Sequence, residues 1–107
     1  MVFKRNLKTF AKAVAVAGTA EALSATQLYA KEVKIKSPST NTDAVYLGDS
    51  TVAAANGYVL APGEELDLAS LLTDPTEETV FDLSTIYADV AVNTEGVVVI
   101  YLEKTPV

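Results

Sequence analysis

The sequence predicts an all-β protein: a single small β-sandwich or jelly-roll-like barrel with an extended or short-helical basic N-terminal arm. Three observations lead there. Short apolar runs recur about 8 to 12 residues apart, several of them alternating apolar and polar positions. Gly, Pro and Asn separate the runs as turn residues. The chain has 107 residues, half of them hydrophobic and 21% charged, which suits one domain with one core. The pattern divides into a basic arm over residues 1–11 and a β-domain over residues 12–107.

The arm has apolar points at Phe3, Leu7 and Phe10, at offsets of four and three, so a short amphipathic helix packed on a partner surface is one expectation. A frayed tail is the other. Residues 12–17 read as a strand leading to a turn at Gly18 and Thr19. Val33 and Ile35 then alternate with Glu32, Lys34 and Lys36, which gives a strand with one apolar face and one charged face. Residues 37–43 are a loop, in which Pro38 offers no backbone donor. A strand over residues 44–47 and another over Tyr58 to Leu60 follow. Ala61, Pro62 and Gly63 suit a type II turn, with Pro at the first central position and Gly at the second. Leu66 and Leu68 face inward between Glu65 and Asp67, with a helical turn over residues 66–72 as an alternative. After the acidic connection at 73–78, strands are expected at 80–83 and 86–92. A turn at 93–96 precedes the run from Val97 to Leu102. That run is apolar on both faces and predicts a central strand, or an edge covered by another subunit.

Charge is segregated along the chain. Residues 1–36 hold seven bases and two acids; from Ser37 onward there are twelve acids and one base, Lys104, and the chain's net charge is −6. Either the halves neutralise each other within one fold, or the basic part lies on an acidic neighbour such as another copy. Nucleic-acid binding is not expected, because the acidic part repels phosphate. No stretch has the roughly 18 to 20 apolar residues of a membrane span, so no membrane partner is expected. Lys12 interrupts the apolar run that follows the basic start, so a cleaved secretory leader is not expected either.

Catalytic chemistry finds little to work with. Gly48-Asp49-Ser50 resembles the nucleophile block of one esterase superfamily, yet the chain has no His and no Cys. A serine without a base is a weak nucleophile, so the step reads as a turn and no enzyme is expected. Glu64, Glu65, Asp74, Glu77, Glu78 and Asp82 lack the spacing of a calcium loop or a defined acid pair and read as a solvated rim. Tyr29, Tyr46, Tyr58, Tyr87 and Tyr101 are residues that stack on sugars or bases and are equally ordinary strand residues. No cofactor is expected.

The run Val45-Tyr46-Leu47-Gly48-Asp49-Ser50-Thr51-Val52, followed by Asn56-Gly57-Tyr58-Val59-Leu60-Ala61-Pro62-Gly63-Glu64, resembles a pattern in small structural proteins of tailed bacteriophages. Residues 82–89 and 96–101 are similar to its second half, so the resemblance covers about residues 12–103. It implies a β-sandwich virion component: a non-enzymatic decoration or cement protein that binds the major capsid protein or other virion subunits and forms a homo-oligomer. A head-tail or tail accessory protein, and a carbohydrate- or receptor-binding β-module, are the alternatives. The partner-binding residues expected are those of the arm and its edge: Phe3, Lys4, Arg5, Leu7, Lys8, Phe10 and Lys12.

Overall fold

The alternation of residues 29–36 and the apolar run after Gly96 end up side by side. In the computed structural model, which describes the backbone of residues 3–71 and 80–106 and the side chains of residues 5–71 and 80–103, the strands in chain order are β1 (Phe3–Ala13), β2 (Glu21–Ala22), β3 (Tyr29–Lys36), β4 (Val45–Gly48), β5 (Tyr58–Leu60), β6 (Glu65–Asp67), β7 (Phe81–Asp82), β8 (Tyr87–Val90) and β9 (Gly96–Pro106). A single 3₁₀ turn over Leu68–Leu71 follows β6. The pairings among the described residues are all antiparallel and make two sheets, one ordered β1-β9-β3-β6 with β7 also on β3, the other β2-β8-β4-β5.

Sandwich packing follows from which faces are apolar. Val33 and Ile35 of β3 and Val97, Val99 and Tyr101 of β9 are buried, and meet Val45, Leu47, Leu60, Ala88 and Val90 of the second sheet in one cluster. Leu23, Leu68 and Leu83 belong to the same cluster. The sequence expectation of an all-β sandwich holds, and β9 is central by pairing, between β1 and β3.

Several turns form as their residues dictate. Gly63 has φ +89° and the Glu64 amide donates to the Ala61 carbonyl at 2.9 Å, the geometry of a type II turn after Pro62. Gly18 has φ +90° where the first turn was expected. β3 departs from simple alternation: its register against β9 shifts between Lys31 and Lys34, and Glu32 has φ 51°. This is a β-bulge, which puts an extra residue into one strand and increases its twist.

The N-terminal segment takes the extended alternative and not the helix. β1 pairs with β9 from Phe3↔Pro106 to Ala13↔Gly96, so the strand crosses from residue 11 to residue 12 without a break. It stops at Ala13, short of the expected Ala17, because the Val14 amide donates to the Glu95 carbonyl and the Thr94 amide to the Val14 carbonyl, which closes the connection to β9. β3 pairs with β9 only as far as Leu102, so residues 103–106 have β1 as their strand partner among the described residues. The acidic connection at 73–78 lies outside the described residues.

Candidate protein-binding surface

Strand alternation sorts the expected arm residues into two groups. Arg5, Leu7, Thr9 and Ala11 lie opposite Lys104, Leu102, Ile100 and Val98, on the face turned away from the second sheet. Lys8, Phe10 and Lys12 lie opposite Tyr101, Val99 and Val97, whose side chains point into the core. The side chains of Phe3 and Lys4 are outside the described set.

That sorting changes what each residue is available for. Phe10 is half-buried against the core cluster, its ring 6.2 Å from that of Tyr101 at 72°, an edge-to-face contact. Lys12 is half-buried and its Nζ is 2.9 Å from Oε1 of Glu21. The sequence reading made both partner-binding residues; the structure gives each an internal contact. Arg5, Leu7 and Lys8 are exposed, Leu7 at 62%.

Around them lies a surface that the arm alone did not suggest. Val98 and Ile100 of β9 are 37% and 36% exposed beside Leu7, Thr9 and Ala11, and Lys34 and Lys36 of β3 stand opposite Ile100 and Val98 on the far side. Lys34 and Lys36 in turn face Asp67 and Glu65 of β6 across the sheet. The outer face therefore runs from a basic and apolar edge at β1, over an apolar centre at β9, to bases and acids in facing register on β3 and β6. The signal for Val98 and Ile100 was present in the sequence as an apolar run on both faces, of which only one face is needed for the core.

The other candidates are placed as follows. Ser50 sits in a turn in which the Val52 amide donates to the Asp49 carbonyl at 3.0 Å. The Asp49 carboxylate accepts from the Thr51 hydroxyl at 2.6 Å and the Thr51 amide at 2.9 Å, and these two bonds hold it below the ordinary aspartate range. Glu64 accepts from the Ala61 amide at 2.7 Å, within its own turn. Asp82 accepts from the Ser84 hydroxyl at 2.7 Å, which with the Ser84 amide lowers its pKa. Asp74, Glu77 and Glu78 lie outside the described residues. Among the described residues no three acids, His or Cys are grouped so as to hold a metal ion. Tyr29 and Tyr58 are both more than half exposed but belong to different sheets, while Tyr101 is buried. A cleft of about 270 Å³ between the sheets is walled by apolar side chains such as Ile35, Leu47, Leu66, Leu68 and Ile86.

The Glu21 carboxylate has the most consequential environment of the acids. It accepts the Ala15 amide at 2.7 Å and the Lys12 ammonium at 2.9 Å, and the amide first, then the ammonium, depress its pKa. A carboxyl whose folded pKa is depressed stabilises the fold above its unfolded pKa, and that contribution is lost as pH falls through the folded pKa. With Asp49 and Asp82 shifted in the same direction, stability is expected to be level near neutrality and to decline below about pH 4. Glu21→Gln is expected to lower the thermal midpoint at neutral pH and to flatten this decline. Midpoints measured across the acid range check it, and a variant whose midpoint stays parallel to that of the wild type would contradict it.

Compared with protein-family models, curated proteins and solved structures, the chain has no significant match in any of the three.

Proposed function

We propose that this chain is a non-enzymatic structural protein of a tailed-phage virion, which binds the major capsid protein or another virion subunit and stabilises the assembled head as a decoration or cement protein, acting with copies of itself. The observation that supports the reading most directly is the exposed outer face of β1 and β9, which Arg5 and Leu7 share with Val98 and Ile100. An apolar strip edged by charge is the kind of surface that contacts another protein. The resemblance of residues 45–64 to phage structural proteins supports the choice of partner. Cement action follows from linkage: a protein that binds the assembled state and not the dissociated one stabilises assembly by mass action.

The test is co-sedimentation of the purified chain with assembled capsids, at low and at raised salt. Truncation of the first eleven residues is unsuited to it, because β1 is paired along its length with β9 and its removal would open the sheet. Point reversal keeps the pairing. The wild-type chain is expected to sediment with particles in a salt-sensitive manner, and Arg5→Glu/Lys8→Glu is expected to bind at least about tenfold more weakly. A monodisperse monomer that ignores particles at both salt concentrations would overturn the reading.

A further inference from the structure

The geometry points to the open edge of β1 as a strand-addition site for an extended, acidic segment of a partner protein, which would pair with β1 as a further strand of the sheet. This deepens the binding role proposed above by naming how the partner is held. β1 is the end of its sheet's strand order, and among the described residues its strand pairing is with β9 alone. Eleven residues of extended chain therefore keep a row of backbone donors and acceptors directed away from β9, about 37 Å long at the usual rise. Such a row is a template for another strand.

Charge selects the occupant. Residues 1–20 contain Lys4, Arg5, Lys8 and Lys12 and no acid. Among the described residues little of the acidic part meets them: the β9 residues facing β1 from Val97 to Leu102 are apolar, Glu103 is opposite Asn6, and Lys104 is opposite Arg5. The ion pair Lys12–Glu21 joins two residues of the same basic part. Of the acidic half, β9 therefore brings one acid, Glu103, and one base, Lys104, to a strand that carries four bases.

The same charges bear on self-pairing. Two β1 edges would bring four bases from each copy to one seam, which is how lysines on an edge discourage like edges from joining. An incoming acidic strand meets no such penalty. Its side chains would share faces with those of β1, an acid beside the exposed Lys8 on one face and an apolar residue beside Leu7 on the other.

The experiment titrates the full chain with synthetic peptides and follows hydrogen exchange of the backbone amides. A peptide of roughly nine alternating Val and Glu residues is expected to bind and to slow exchange along β1 by at least about tenfold, leaving β5 at the other sheet's edge unchanged. The Val and Lys counterpart is expected not to bind. A peptide with the same acids and proline in place of valine, which cannot pair as a strand, is expected to bind at least about tenfold more weakly. Arg5→Glu/Lys8→Glu, whose side chains are exposed, should weaken the Val and Glu peptide by a similar factor. Equal binding of the proline peptide, or equal protection of β1 by single-stranded DNA, would overturn strand addition in favour of bare charge attraction. Capsid binding without protection of β1 would overturn strand addition alone and leave the binding role standing.

Discussion

Ile35→Ala is expected to lower the unfolding free energy by about 3 to 4 kcal/mol, within the range for deleting a fully buried Ile side chain. Ile35 is fully buried, stands opposite Val99 on β9 and Leu66 on β6, and so joins the middle of the larger sheet to its far edge. It also forms part of the wall of the apolar cleft between the sheets, so truncation widens a space that neighbouring side chains cannot close without moving. For a domain of this size the loss corresponds to a fall in thermal midpoint of roughly 12 °C or more. The paired control is Val98→Ala on the neighbouring strand, 37% exposed on the outer face, which is expected to cost about 0.5 kcal/mol or less. Denaturant unfolding of the two variants checks the assignment of faces. Equal costs would mean that the outer face is packed as the inner one is.

This contrast between adjacent strands shows what the sequence could and could not express. Val33 and Ile35 alternate with charged neighbours, so their inward direction was readable from period alone. Val97 to Leu102 gave no such direction, since apolar residues occupy both faces, and only pairing with β1 and β3 decided that Val97, Val99 and Tyr101 are the buried set. β1 was the hardest element to read. Its apolar residues Phe3, Leu7 and Phe10 fit a helical spacing, and its bases broke any strand-like alternation of polarity. Long-range partners between 83 residues away, Gly96 for Ala13, and 103, Pro106 for Phe3, overrode that local pattern. The candidate surface was readable to the same degree. Arg5, Leu7 and Lys8 were visible as a basic, apolar segment, whereas the internal contacts of Phe10 and Lys12 depend on Tyr101 and Glu21, which local spacing cannot pair with them.

The exposed residues of β1 therefore depend on a strand pairing that begins at the Ala13 end. At that end the pairing is closed by the turn of residues 93–96, where Thr94 takes φ 69° and the Thr94 amide donates to the Val14 carbonyl at 2.8 Å. Any change that pushes the two strands apart here is transmitted along the whole ribbon, since β9 is the partner that holds β1 in the sheet.

Gly96→Ala is the substitution that does so. A Cβ at residue 96 would overlap the Lys12 carbonyl oxygen and come within 2.8 Å of both the Lys12 carbonyl carbon and the Ala13 Cα. All of these are backbone atoms, so no rotamer change relieves the overlap and one strand must shift. The same residue's carbonyl accepts from Nδ2 of Asn41 at 2.9 Å, which ties β9 to the loop after β3 and opposes that shift from the other side. The expected loss is about 2 to 3 kcal/mol, at the upper end of overpacking costs. Gly18→Ala separates the steric cause from ordinary glycine effects: its Cβ would meet nothing within 4 Å, and only its φ of +90° penalises the change, so about 1 kcal/mol is expected there. Hydrogen exchange supplies the second readout. In Gly96→Ala the amides of β1 are expected to exchange faster than those of β4 and β8, because the displaced strand opens before the sandwich unfolds. Uniform acceleration over both sheets would instead mean that β1 and the core open as one unit, and the open edge would then be as stable as the fold that carries it.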